Sequence, residues 1–153
     1  MGCDWVAVRN LAITLGVFVG LGTSSVIFAL SWWRFSPEWP WKKWVTSAAW
    51  GSAAAWLATA IVFLAILMAV VGSFCRCSEA VAACAAACGS MDMALKTLLG
   101  VMAGLAALCT VLAAEPTLIL QPWLAVALAF ALSGTIVAMG IVAYYAAQIA
   151  GCQ

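Results

Sequence analysis

The amino-acid sequence predicts an all-α integral membrane protein, an antiparallel four-helix transmembrane bundle with short loops. Two observations lead to this prediction. Of the 153 residues, 68% are hydrophobic and 7% are charged, whereas about 25% charged residues is ordinary for a soluble globular domain. The apolar residues also form four stretches, each long enough for the roughly 20 residues that a helix needs to cross about 30 Å of hydrocarbon. We therefore expect lipid to solvate most of the chain, as one four-span domain of residues 1–153.

The four predicted spans follow one another with short connections. They cover about residues 6–33, 45–74, 93–114 and 123–150. No small-residue cleavage site followed by a polar mature domain comes after the first stretch, so we interpret it as a retained span rather than a signal peptide. Short connections make consecutive helices antiparallel neighbours.

The first connection, within SWWRFSPEWPWKKW, is typical of a membrane interface. Pro37 and Pro40 stop helix propagation. The tryptophans are expected at headgroup depth, with Arg34, Lys42 and Lys43 facing lipid phosphates.

The other two connections differ from the first in composition. The third connection, EPTLILQP, is bracketed by prolines and is interpreted as a short re-entrant or interfacial turn. The second connection, residues 75–92, contains four of the seven cysteines. If Ser78 caps a helix there, the alanine-rich residues that follow continue it.

Six cysteines are expected on one side of the membrane, together with both chain termini. They are Cys3, Cys75, Cys77, Cys84, Cys88 and Cys152, and only Cys109 lies within a span. In an oxidising compartment they are candidates for disulfide bonds, and in the cytosol for reversible acylation. Lys and Arg residues near the span ends divide three against three, so the positive-inside rule does not decide. The short N-terminal tail, with no signal peptide, favours cytosolic termini.

Composition and spacing narrow the chemistry. The chain has no histidine, which excludes histidine-based nucleophile pairs, histidine-ligated haem or metal, and imidazole proton relays. The cysteine spacing is unlike that of typical zinc sites, and no Cys-x-x-Cys redox pair occurs. With a net charge of +1, nucleic acid is not an expected partner. We expect no catalytic residues, no metal and no cofactor.

Charged residues near the span ends suggest ion pairs. Asp92 and Lys96 are four residues apart and can pair along one helix. Arg9 begins the first span on the same side, so a pair between Arg9 and Asp92 in different helices is also feasible. No carboxylate is expected at mid-membrane, which argues against a proton-coupled carrier.

Small residues recur at the spacing that lets helix backbones approach closely. One Gly-xxx-Gly pair, Gly16 and Gly20, is on the first span, and a second, Gly100 and Gly104, is on the third. Ser133, with alanines one and two turns before it, gives the fourth span a small-residue face.

The stretches VRNLAITLGVFVGLGTS and MDMALKTLLGVMAGLAAL resemble the first and third spans of MARVEL-type four-span membrane proteins, particularly the Casparian-strip membrane-domain-like branch. Members of that family have an arginine at the start of the first span and an aspartate opening the third, where this chain has Arg9 and Asp92. The resemblance implies cytosolic termini and a role in membrane-domain scaffolding through homo-oligomerisation.

Taken together, the residues predict a non-enzymatic structural or accessory subunit, with the bilayer and other membrane-protein subunits or further copies of itself as partners. Two alternatives remain open. One is a transporter or channel protomer, and the other is a thiol-redox or metal-binding protein that uses the cysteines between residues 75 and 88.

Overall fold

The computed structural model describes residues 4–73 and 84–151, which form four long helices with short connections between them. Helix α1 is Trp5–Phe35, α2 is Lys42–Ser73, α3 is Ala85–Ala114 and α4 is Pro122–Gly151. All four are long and apolar enough to cross a membrane. The predicted all-α four-helix bundle is therefore confirmed, and the helices are compatible with a multi-pass integral membrane protein.

The helices form a ring in which each one packs against two neighbours. α1 contacts α2 and α4, and α3 contacts the same two helices from the opposite corner. The start of α2 lies beside the end of α3, because the Ser47 hydroxyl donates a hydrogen bond to the carbonyl of Ala113. α2 and α3 are thus antiparallel, as predicted.

Aliphatic side chains from all four helices fill the centre of the ring. Fully buried examples from the four helices are Leu15, Leu57, Leu98, Met102 and Leu124. The buried threonines each donate a hydrogen bond to the carbonyl four residues earlier, so their hydroxyls need no partner on another helix. The bundle core is consequently apolar along its length.

α3 begins earlier than the sequence predicts. It starts at Ala85 rather than near residue 93, so the second half of the predicted connection 75–92 is helical. Alanine is the strongest helix former, and the Cys88 and Met91 side chains of this extension are fully buried in the bundle. Residues 74–83, with the expected cap Ser78, lie outside the described residues.

The charged side chains of α3 and its C-cap mark two levels of the bundle. Lys96 and Glu115 are separated by about 28 Å at 1.5 Å per residue, which is close to the roughly 30 Å thickness of a hydrocarbon core. Residues 85–91 therefore extend α3 beyond the level of Lys96, on the side that holds the cysteine segment. We call this side the cysteine side and the opposite one the loop side.

On the loop side, Lys42 packs against the end of α1, and a short helix forms the third connection. Lys42 is buried: its ammonium lies 3.2 Å from a Glu38 carboxylate oxygen, 3.3 Å from the Ser36 carbonyl oxygen and 5.1 Å from the centre of the Trp33 ring. The expectation that Lys42 faces lipid phosphates is thus wrong, because its side chain folds back over the end of α1. The third connection, which the sequence predicts to be a short re-entrant or interfacial turn, is a 3-10 helix, Pro116–Leu120.

Candidate functional site

The predicted helix-packing glycines divide into one that is used within the bundle and three that are not. A Cβ at Gly16 would lie 3.7 Å from Met139 Cε, at the contact between α1 and α4. A Cβ at Gly20, Gly100 or Gly104 would have no described atom within 4 Å beyond its own helix. These three positions therefore face outward, and the internal packing of the bundle does not explain them.

Two glycines that the sequence analysis missed make the closest helix approaches. A Cβ at Gly22 would lie 2.8 Å from both Cγ and Cδ2 of Leu57, and one at Gly134 would lie 3.2 Å from Cγ1 of Val101. The first contact joins α1 to α2 and the second joins α3 to α4. Each glycine precedes a buried threonine that bonds back to its own helix, and this Gly-Thr pair is the sequence signal that could have identified both.

Outside the Gly134 contact, α3 and α4 enclose a long recess that we call the α3/α4 furrow. It consists of two adjoining cavities of about 460 Å³ and 380 Å³, which share Val101 and Phe130. Gly100 and Gly104 line the first cavity, and the predicted packing residue Ser133 lines the second. The predicted small residues of the third and fourth spans thus meet in one surface.

A second recess, the α1/α2 furrow, lies on the other helix pair. A cavity of about 500 Å³ between the two helices is lined by small residues such as Ser24, Ala48 and Ser52. It adjoins a cavity of about 350 Å³ at the loop side, and Phe28 lines both. The residues of the smaller cavity are Phe28, Ser31, Trp32, Phe35, Ser36, Pro37 and Trp39. None of these residues was in the predicted packing set.

Of the two predicted ion pairs on the cysteine side, the structure contains the one along α3. The Lys96 ammonium lies 3.2 Å from Asp92 Oδ2. The Arg9 guanidinium donates a hydrogen bond to the Asn10 side chain at 3.5 Å, and no described carboxylate pairs with it. The interhelical pair between Arg9 and Asp92 is therefore absent from the described structure, because Asp92 has its counterion four residues along its own helix.

On the loop side, an ion pair that was not predicted joins the start of α2 to the C-cap of α3. The Lys43 ammonium lies 3.2 Å from a Glu115 carboxylate oxygen, and the Thr117 hydroxyl donates to the same carboxylate at 2.7 Å. The two hydrogen bonds hold the pKa of the Glu115 carboxyl below its usual range, and the one from Thr117 has the larger effect. Lys43 therefore has a carboxylate partner within the protein, and its contact with lipid phosphates stays a prediction.

Two cysteines of the cysteine segment lie within the described residues. Cys84 and Cys88 are buried and both are disulfide-bonded, which favours the disulfide alternative over acylation at these two positions. Cys109 is a buried free thiol within α3. The other candidates, Cys3, Cys75, Cys77 and Cys152, lie outside the described residues.

The described side chains form no evident metal centre. Within residues 4–73 and 84–151, no three histidine, cysteine, aspartate or glutamate side chains come together in a group that could hold a metal ion.

Comparisons with protein-family models, with curated proteins and with solved structures give no match to this chain. The resemblance to MARVEL-type proteins consequently stays a prediction from the sequence.

Proposed function

We propose that this protein is a non-enzymatic subunit or scaffold of a larger membrane assembly and that it acts by helix packing. The observation that carries the proposal is the α3/α4 furrow, where Gly100 and Gly104 lie open on the outside of the bundle. The partner is a transmembrane helix of another subunit or of a further copy of this chain.

The physical argument begins with what drives helix association in lipid. Lipid tails are as apolar as leucine side chains, so transmembrane helices associate through close van der Waals packing and hydrogen bonds. Glycine permits this packing because it lets a second backbone approach closely. Gly100 and Gly104 are free to serve a partner in this way because no internal contact occupies them.

The spacing within the furrow fits a single helix. Gly100, Gly104, Ala107 and Val111 line it at intervals of four, three and four residues, the seam along which one helix packs on another. On its α4 side, Phe130 is 75% exposed. The surface thus presents a large side chain next to a recess, which is the shape that interlocks with a partner helix.

Assembly is testable in lipid bilayers by single-molecule photobleaching of fluorescently labelled protein. We expect wild-type protein to form oligomers in the bilayer. If the partner is another protein, purification from the native membrane in mild detergent should instead yield the two together reproducibly. Gly104→Leu should fill the furrow and reduce assembly at least tenfold, while Gly20→Leu, which places the same side chain on another open face, should leave it unchanged. A wild-type monomer without a recovered partner would contradict the proposal, and equal behaviour of the two variants would remove the α3/α4 furrow from it.

We also infer the orientation in the membrane. Disulfide bonds persist in oxidising compartments and are rare in the cytosol, so the bonds at Cys84 and Cys88 support an oxidising environment on the cysteine side. With four spans, both chain termini share that side, and the loop side with Arg34, Lys42 and Lys43 faces the cytosol. This orientation is opposite to the cytosolic termini expected from the short N-terminal tail and from the family resemblance.

Orientation is testable with a membrane-impermeant maleimide on sealed vesicles of known sidedness. We expect labelling from the oxidising face to increase after treatment with a reductant, and no labelling from the cytosolic face. Labelling from the cytosolic face without reductant would instead establish cytosolic termini with reduced cysteines.

A further inference from the structure

The loop-side end of the α1/α2 furrow brings two unpartnered buried polar atoms to one cavity, whereas Arg9 Nε and Trp50 Nε1, the others among the described residues, belong to residues that line neither cavity of this furrow. Two hydrogen-bonding atoms there, Trp32 Nε1 and Ser36 Oγ, are buried and have no partner among the described residues. Both residues line the cavity of about 350 Å³. Buried tryptophan N–H groups and serine hydroxyls are normally hydrogen-bonded, and an acceptor entering the cavity that both residues line would satisfy these two donors.

Aromatic side chains hold the indole donor in a fixed position. The Trp32 ring stacks on Phe28 with 6.1 Å between ring centres, and it meets Trp39 edge to face at 5.9 Å. The Ser36 backbone N–H is bonded to the Trp32 carbonyl, which ties the two donors together at the end of α1. The Ser36 hydroxyl can turn into the cavity by rotation about one bond.

The charge at this end favours an anionic acceptor. Lys42 is paired with Glu38, and Lys43 with Glu115. Arg34 is the remaining loop-side cation, and none of the described carboxylates pairs with it. Its guanidinium carbon lies 5.9 Å from the centre of the Phe35 ring, which lines the cavity.

The remainder of the furrow is shaped for an apolar chain. From Phe28 it continues towards Leu21 between small residues such as Ser24 and Ala48, as the cavity of about 500 Å³. Leu21 and Ser36 are separated by about 22 Å along the axis of α1, which exceeds the roughly 15 Å thickness of one hydrocarbon leaflet. The furrow can therefore hold an acyl chain over the whole depth of its leaflet.

We propose that the α1/α2 furrow is a binding site for one anionic glycerophospholipid. Its phosphate lies beside Arg34, its phosphate or ester oxygens accept hydrogen bonds from Trp32 and Ser36, and one acyl chain lies between α1 and α2. The proposal goes beyond the packing role of the α3/α4 furrow and is independent of it, because the two surfaces share no residue.

Native mass spectrometry of the purified protein tests the site, with dioleoylphosphatidylglycerol and dioleoylphosphatidylcholine as probes. We expect wild-type protein to retain one phosphatidylglycerol molecule through delipidation and to prefer it over phosphatidylcholine by at least tenfold. Trp32→Phe combined with Ser36→Ala keeps the ring and removes both donors, and should abolish most of that retention. Arg34→Gln should reduce the preference for phosphatidylglycerol more than the total amount of lipid retained.

Two further variants keep the experiment decisive if the double variant fails to fold. Ser24→Leu fills the apolar part of the α1/α2 furrow and should reduce retention, whereas Gly104→Leu in the α3/α4 furrow should not. Equal retention of the two lipids by wild-type protein would mean non-specific annular lipid and would overturn the proposal. An unchanged lipid preference in Arg34→Gln, together with unchanged retention in Ser24→Leu, would overturn it as well. If wild-type protein retains phosphatidylglycerol selectively but does not assemble, the proposed function is refuted and the lipid site is not.

Discussion

The α1/α2 furrow and the α3/α4 furrow are built alike, yet they differ in what lines their ends. Each lies on a helix pair joined by a glycine contact, Gly22 with Leu57 in one and Gly134 with Val101 in the other. The α1/α2 furrow ends at two unpartnered donors, with the Arg34 guanidinium near the ring of Phe35, which lines the same cavity, whereas the α3/α4 furrow has two open glycines in one of its cavities.

The difference shows that the shape of a membrane-facing recess does not by itself identify its occupant. Unpartnered polar atoms at interface depth favour a molecule with a polar head and an apolar tail. A recess with glycines at helix-packing intervals favours another helix, because backbone approach is what glycine permits. Four substitutions test whether the two helix pairs differ in this way.

The largest effect is expected for Gly22→Ala. The new Cβ would lie 2.8 Å from Cγ of the fully buried Leu57, so the packing of α1 on α2 must shift, at a cost of about 1–3 kcal/mol in the free energy of unfolding. The measurement is denaturant unfolding in a fixed detergent, with Gly20→Ala as the control. Because a Cβ at Gly20 meets no described atom within 4 Å, an equal loss in the two variants would contradict the close approach.

Gly134→Ala should cost less, about 1 kcal/mol in the free energy of unfolding. Its Cβ would lie 3.2 Å from a Val101 methyl group, so a displacement of a few tenths of an ångström relieves the contact. Unfolding under the same conditions, with Gly100→Ala as the matched control on α3, gives the comparison. A loss larger than that of Gly22→Ala would show that the α3/α4 pair is the more tightly packed of the two.

Ser47→Ala should lower the stability of the bundle without affecting either furrow, because Ser47 joins the two helix pairs. Its hydroxyl bonds to the Ala113 carbonyl, and a typical hydrogen bond contributes about 0.5–1.5 kcal/mol to stability. We expect a loss of that size in the unfolding measurement, with lipid retention and oligomerisation unchanged. A selective loss of either binding property would mean that the furrows are not independent surfaces.

The smallest effect is expected for Glu115→Gln, and it depends on pH. The folded-state pKa of Glu115 is lowered by Thr117 and Lys43, so its contribution is present above the unfolded pKa and is lost as pH falls through the folded pKa. The carboxylate is exposed and screened by solvent. Thermal unfolding should therefore show a slight stability deficit of the variant near neutral pH that closes in acid. A deficit that grows in acid would contradict the sign of the pKa shift.

Most of the fold was predictable, and little of the surface was. The four spans follow from apolar runs, whereas α3 begins eight residues before the predicted third span, which started near residue 93. In the structure α3 continues past Asp92 to Ala85, with Cys88 and Met91 buried against the bundle. A charged residue near a membrane interface marks depth, and it does not mark the end of a helix that extends beyond the membrane.

The candidate surfaces illustrate the same limit. The Gly-xxx-Gly spacing identified Gly100 and Gly104 as a small-residue face. It did not show that this face is left open on the outside of the bundle. The pattern likewise gave no reason to select Gly22, because its partner Leu57 is 35 residues away in the chain. Nor could it show that Lys42 folds back to Glu38 while Arg34 has no described carboxylate partner.

The sequence by itself determined the fold class and the number of spans, because the thickness of the hydrocarbon core sets how many consecutive apolar residues a helix requires. It also excluded histidine chemistry, since composition alone decides that point. Contacts in the folded bundle decide which small residues pack inside it and which polar atoms are left without partners. Both depend on the rotation of each helix about its axis, which contacts between residues distant in the chain determine.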